Sequence, residues 1–573
     1  MRKALFTTIS VVILLSMLLA ACSPAASTTQ APAATQAPAE TTALEATQPA
    51  ATEPTKAPEA AASTPVTIKI FAPQAAEIDM ATNAFSLLLE DKFNAKFEWT
   101  TTTFDGTSAK EKRNLVLASG DYPEVFFLIP WVDQFSQIDL LKYGSQGVIL
   151  PLNDLIDQYA PNVKAALEKY PDFNAMTVAP DGKIYGLPQL IQCYHCSYAN
   201  KMWVNTKWTK ALGMDTPKTT EEFKALLEAI KTKDPNGNGK ADEIPLSGAI
   251  MDYGTRPLPF LMNGFIYDDD RTYLVINNGK VDTIANKPEY KEGLAYIKSL
   301  YDAGLIDSGA FTNNAEAYTA LGDNAEAQLL GAGAGMHPAI FVNSFGDVTY
   351  GYDYDAIPPL QGPNAAYATY LPNMVPGATF VLTNKASPEA QIAAIKMVDY
   401  MFTFEGHMNG IFGVEGQDWR KPEAGEQANN TKVTPLYFDI PLPAGATDPN
   451  RFWGAGAQYF DDLAIRDAWV QSPDIYSDEG YEHRLQLATD LYNGKQSPDL
   501  FPYWAIWPDP TVADEEALMK QNIIDYINQN ALAFVTGTMD LEKDWDSYVQ
   551  GLDGLNLTRW LEINQKAYEA SKK

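Results

Sequence analysis

Ten consecutive residues carry the densest chemistry in the chain: Asp234-Pro235-Asn236-Gly237-Asn238-Gly239-Lys240-Ala241-Asp242-Glu243. Side-chain oxygens fall at positions 1, 3, 5 and 9 of this loop, and Gly239 stands at position 6. That is the front of a calcium-loop pattern, in which position 6 turns tightly and position 7 offers its carbonyl. A glycine takes such a turn without steric cost, which aims the Lys240 carbonyl inward. Asp234, Asn236, Asn238, Lys240 through its carbonyl, Asp242 and Glu243 then make an all-oxygen donor set. It suits Ca2+ and is poor for zinc, which prefers nitrogen and sulfur. Position 12 is Pro245, where a calcium sensor places a bidentate glutamate. The expectation is therefore a structural clip rather than a switch, set against a polar Gly-rich turn without metal.

Other constellations are weaker. Cys193-Tyr194-His195-Cys196 has the spacing of a redox or metal motif, but no second Cys pair follows. His337, His407 and His483 stand in no ligand spacing with it. A local disulfide or two buried thiols is the expectation. Nucleophile elbows, phosphate loops and zincin helices are absent from the sequence. Aromatic residues in loops are candidates for binding a ring-shaped ligand by stacking. Trp131 follows an apolar strand ending at Ile129, and ligands of α/β sheets sit at the carboxyl ends of strands. Trp453 lies in Arg451-Phe452-Trp453-Gly454, and Trp504 and Trp507 lie in a Pro-rich loop. Asp133, Met336, Asn373 and Arg451 complete the expected ligand set.

The N-terminus reads as an export signal: Met1-Arg2-Lys3, an apolar run over 11–19, then Leu19-Ala20-Ala21-Cys22. The run is too short for a spanning helix. A small-small-Cys junction resembles the bacterial lipobox, with Cys22 lipidated as the first mature residue. The working part is then expected on the extracellular face of the cytoplasmic membrane. Residues 23–64 are almost all Ala, Pro, Thr, Gln and Glu, which reads as a disordered tether.

The elements that position these groups begin at Pro65. Strands over 66–71, 95–101 and 124–129 alternate with helices over 78–93 and 108–118. This βαβαβ order predicts a parallel sheet covered by helices. A turn at Asp181-Gly182-Lys183, a strand over 198–205 and a helix from Thr219 follow. Past Pro245 the pattern is mixed. A hairpin is expected over 271–280, a helix over 288–303, and a flexible Gly-rich approach over 331–335 to Met336 and His337. A strand over 378–382, a helix over 388–404 and closing helices over 515–530 and 540–570 complete the reading. The 573 residues suffice for two lobes, expected at about 65–185 and about 190–375, each with later segments. The net charge of −30 repels nucleic acid, whose backbone is itself anionic.

Together these features resemble the extracellular solute-binding lipoproteins of ABC importers. The residues that carry the likeness are Gly182-Lys183-Ile184-Tyr185-Gly186-Leu187-Pro188, Thr219-Thr220-Glu221-Glu222-Phe223, 234–245 and the tail Phe534-Val535-Thr536-Gly537 with Asp544-Trp545-Asp546. The likeness is to the large oligosaccharide-binding subgroup that includes alginate-binding proteins and LplA-type lipoproteins. It implies a two-lobe α/β, periplasmic-binding-protein-like fold with a hinged cleft. It also implies calcium on the 234–243 loop, and capture of a solute, passed unaltered to ABC permease subunits. The negative charge makes a neutral oligosaccharide the preferred cargo over a polyanion. A secreted carbohydrate-active enzyme, or a binding protein for a peptide importer or sensor kinase, remains the alternative.

Overall fold

The computed structural model describes residues 64–324, 327–346, 349–372, 375–443, 446–447 and 449–572. The export signal, Cys22 and nearly all of the 23–64 segment lie outside the described residues, as does Asn373.

Two four-stranded sheets organise the described chain. Their strands are β1 (Val66–Pro73), β2 (Ala95–Thr102), β3 (Val125–Phe127), β4 (Lys201–Asn205), β5 (Ile244–Ser247), β6 (Leu330–Gly335), β7 (Tyr354–Ile357) and β8 (Phe380–Leu382). The first sheet has the order β8-β3-β1-β2, and the second β7-β4-β6-β5. In the first, β1 runs parallel to β2 and β3, in the register Val66↔Ala95 and Ile70↔Val125, while β8 is antiparallel to β3. Ile68 and Ile70 point into the core while Thr67 and Lys69 reach solvent, the two-residue alternation of a half-covered strand.

The first connecting helix is shorter than expected. It spans Ala84–Phe93, because the Asn83 side chain accepts from the Phe85 amide at 3.0 Å and fixes the start there. Asp79 turns the preceding segment by accepting from the Ala81 amide. The second helix, Gly106–Ser119, is capped by Asp105 and ends at Gly120 in the left-handed region.

The 331–335 stretch corrects its expectation: it is no flexible approach but the fully buried inner strand β6. Glycine is there for space. A Cβ at Gly331 would stand 2.9 Å from Ile230, and one at Gly333 would stand 2.7 Å from the Tyr318 hydroxyl. The large neighbours lie directly on the bare backbone, and pairing with β4 and β5 supplies the rigidity.

Each sheet has its own core. Ile70, Phe127, Phe380 and Met397 fill the first, and Val204, Leu246, Ile297 and Phe534 the second. The chain crosses between them from 190 to 201, returns between 357 and 380, and crosses again between Tyr459 and Tyr481. The closing helices are Ala513–Thr536, Trp545–Gly554 and Leu557–Ala570. The single segment expected over 540–570 is broken at Asn556, whose φ is +64°.

Candidate functional site

The strand ends of the two sheets present exposed apolar side chains. In the first sheet β2 leads to Phe104 and β3 to Trp131, 43 % and 52 % exposed. A bridge between Ile129 and Asp133 folds the Trp131 turn back on itself, so the ring stands out from its tip. In the second sheet β5 leads to Ile250 and Tyr253, 58 % and 51 % exposed, and β6 leads to Met336 and His337. The Met336 amide donates to the Tyr253 carbonyl at 2.8 Å, which ties the two loops together. Tyr253 and Gly254 both have positive φ, and a Cβ at Gly254 would overlap the Ala199 carbonyl of the first crossing. The loop is thereby held against the crossing, with Asn200 donating to the carbonyls of Gly254 and Arg256.

A line of contacts joins these ends. Val132 and Ile129 pack on Ala455, whose carbonyl accepts from Gln189 at 2.7 Å. Residues 460–461 pair with 190–191, and Asp461 accepts from Arg466 at 2.5 Å. Beyond it, His195 meets Glu482 at 3.3 Å, and His337 meets the Tyr481 hydroxyl at 3.2 Å. Burial holds both imidazoles below the usual histidine range, His337 at about 4. Burial opposes the charge on Glu482, but His195 and Arg466 outweigh it and keep the carboxyl ionised. Lys201, fully buried, donates to the carbonyls of His195 and Tyr198 at 2.7 and 2.6 Å, and burial brings its ammonium down to about 7. The set offers aromatic faces, a carboxylate and a guanidinium: the chemistry of stacking and hydroxyl recognition.

The expected ligand residues separate in this frame. Trp131 and half-buried Met336 belong to it. Trp453 does not: its ring is packed edge-on among Phe85, Trp99 and Phe127, and its Nε1 donates to Ser86 at 2.9 Å. Trp504 is likewise buried, donating to Asp172 and packed against Tyr370 and Tyr503. Asp133 is committed to buried Arg113, which donates to it at 2.6 and 3.1 Å. Arg451 is paired with Asp418, whose carboxyl stays low because that guanidinium and the Val414 amide overcome the cost of its burial. These four are therefore corrected to packing and ion-pair residues. Phe104, Tyr253, Arg466 and Glu482 stand in the same frame and are absent from the expected set. The rule that singled out Trp131 would have found Tyr253 had the strand Ile244–Ser247 been recognised through its proline. Nothing in the sequence marks Arg466 or Glu482.

The 234–243 loop begins where the helix Thr220–Lys233 stops. Thr219 and Glu222 form a capping box at its start, and Asp234 ends it in the left-handed region. Asp234 accepts from the amides of Asn238 and Gly239 at 3.1 and 2.9 Å, and Gly237 and Gly239 have φ of +73° and +77°. Asn236 donates to the Gln328 carbonyl, anchoring the loop to the segment before β6. Both Glu243 carboxylate oxygens are buried with no hydrogen-bond donor on them. Burial and the nearby charges of Asp234 and Asp242 push this carboxyl up. An ionised carboxylate left so is costly, and a hard cation would relieve it. The donor chemistry therefore fits Ca2+.

Cys193 and Cys196 are joined in a disulfide around the short helix Tyr194–Ser197. Among the described residues, Cys193, His195 and Cys196 are the one trio of histidine, cysteine or carboxylate side chains whose ligand atoms lie within 4.8 Å of one another, and the disulfide takes both sulfurs.

Residues 80–408 match the family model described as bacterial extracellular solute-binding protein. The fructooligosaccharide ABC transporter substrate-binding protein FusA of Streptococcus pneumoniae serotype 4 is 32 % identical over 494 residues, covering 84 % of this chain and 86 % of that protein. Among solved structures, an extracellular solute-binding protein from Bifidobacterium longum subsp. infantis matches with a TM-score of 0.72 at 21 % identity, over 89 % of this chain and 99 % of that one. The S. pneumoniae FusA EF-hand mutant in complex with fructo-nystose matches with a TM-score of 0.64 at 26 % identity, over 88 % and 99 %.

Proposed function

The chain belongs to the family of bacterial extracellular solute-binding proteins, with a periplasmic-binding-protein-like fold, and from that premise we propose that it captures an oligosaccharide and delivers it to an ABC permease. The observation that carries the reading is the placement of exposed Trp131, Phe104 and Tyr253 at the strand ends of both sheets. Rings so placed offer stacking faces to a sugar, and Glu482 and Arg466 offer hydroxyl partners. The two sheets act as two lobes, and the crossings at 190–201, 357–380 and 459–481 act as the hinge. FusA, named for fructooligosaccharide, supports a neutral oligosaccharide as cargo. Members of the family bind their solute and hand it on, so the sugar leaves unchanged.

Two supporting roles complete the proposal. Ca2+ held by Asp234, Asn236, Asn238, the Lys240 carbonyl, Asp242 and Glu243 clips the helix Thr220–Lys233 to β5; the EF-hand mutant of FusA supports a metal at such a loop. A lipid on Cys22 holds the protein at the extracellular face of the membrane, with the 23–64 segment as tether.

Calorimetry with a glycan panel that includes fructooligosaccharides tests the main reading. Saturable binding of one class, with the sugar recovered intact, is expected. Absence of binding to every glycan, or hydrolysis of the bound one, overturns it.

A further inference from the structure

A separate cavity of about 270 Å³ lies in the second half, against the loop that carries Ile250. Its walls come from the helix Pro257–Met262, the 268–273 turn, Tyr290 and the helix Ala513–Thr536. Three consecutive aspartates build the turn, and they do different work. Asp269 is spent on the fold: it accepts from the amides of Arg271, Thr272 and Tyr273 and from the Thr272 hydroxyl. Asp270 pairs with Arg256 at 3.2 Å. Asp268 is only 3 % exposed; its Oδ1 accepts from the Asp270 amide at 2.8 Å. Its Oδ2 takes no hydrogen bond and is not sealed off, which leaves it at the cavity wall. A buried carboxyl oxygen with an open side and no donor is an unfilled acceptor.

We propose that this cavity is a second binding site, for a small organic cation: a protonated primary amine on a compact apolar body. Of the charged groups in its wall, Asp268 and Asp270 outnumber Arg256. Apart from Asn528 and the tyrosines Tyr273 and Tyr290, the rest of the wall is apolar, with Met262, Phe311 and Leu532 its largest side chains. A sugar would need hydroxyl partners all round, and most of this wall is apolar. An ammonium supplies the missing donors and charge at Asp268, and its apolar body fills the remainder. Burial, with Asp269 and Asp270 beside it and Arg256 opposing, raises the Asp268 carboxyl to about 8; Tyr273 and Tyr290 facing it are held neutral. Amine binding therefore displaces a proton, and affinity rises with pH from about 6 to about 8.5.

The test is calorimetry of the full chain with cyclohexylamine and with its neutral counterpart cyclohexanol. The amine is expected to saturate one site and to bind at least tenfold more tightly than the alcohol. Asp268→Asn should cost tenfold or more, and Leu532→Trp, which fills the cavity, should abolish binding. Trp131→Ala should leave amine binding unchanged, which separates this site from the oligosaccharide site. Equal binding of amine and alcohol, no saturable heat from the wild-type chain, or an affinity that falls as pH rises over that range overturns the proposal. The wild-type comparison decides it even where a variant fails to fold.

Discussion

A tryptophan whose ring stands in water and one locked in a core answer the same substitution in opposite ways. Trp131→Ala removes an exposed stacking face, so oligosaccharide affinity should fall about tenfold, or about 1.4 kcal/mol, with little change in melting temperature. Trp453→Ala empties a packed aromatic cluster and should cost roughly 3–5 kcal/mol of stability, with affinity lost only as the fold is lost. Calorimetry and thermal melts on the two variants separate the roles; matching effects on both readouts would refute the assignment. Asp133→Ala belongs with the second group. It leaves buried Arg113 only the more distant Asp139, 3.7 Å away, in place of two close hydrogen bonds, and roughly 3 kcal/mol of destabilisation is expected in denaturant titration. Sequence gave Trp131 and Trp453 equal standing, since each follows or sits within a loop-like stretch. Only their neighbours distinguish them: Phe85, Trp99 and Phe127 come from three different elements to enclose Trp453.

At the scale of elements, the 234–243 loop and β6 are the informative pair. Chelation of Ca2+ should lower the melting temperature, and the loss should depend on pH with a definite sign. Without metal, Glu243 has its carboxyl raised above the ordinary 4.5 by burial and by Asp234 and Asp242. The folded state then binds more protons than the unfolded state, so this group's contribution favours folding at low pH. It is lost as pH rises through the raised value. Chelated protein should therefore gain on the calcium-loaded form as pH falls into the carboxylate range, and Glu243→Gln should flatten that dependence. A chelated protein with an unshifted melt would remove the metal from the account. For β6, Gly333→Val drives methyl groups into Tyr318 and Phe341 and should yield little soluble protein, whereas Gly120→Asn, at an open left-handed helix end, should be mild. The tight polar turn was legible because its residues, Gly237 and Gly239 among them, are consecutive in the chain. The strand was not, because a Gly-Ala run has no periodic pattern, and its rigidity comes from β4 and β5 on either side.

For the whole molecule, the prediction is closure. Small-angle scattering should show a smaller radius of gyration when saturating oligosaccharide is added, and an unchanged radius with bound sugar would count against hinged lobes. Cys22→Ser should move the protein from the membrane fraction to the medium. The parallel βαβαβ opening and the family likeness were legible in the sequence, because each depends on residues near one another in the chain. Which aromatic rings are exposed and which are packed, that Asp133 and Arg451 are held in ion pairs, and that Glu482 meets His195 and His337 meets Tyr481 were decided only by tertiary structure. The ion pairs join separate elements of one half, and the histidine contacts join segments that the crossings bring together; no local spacing encodes either.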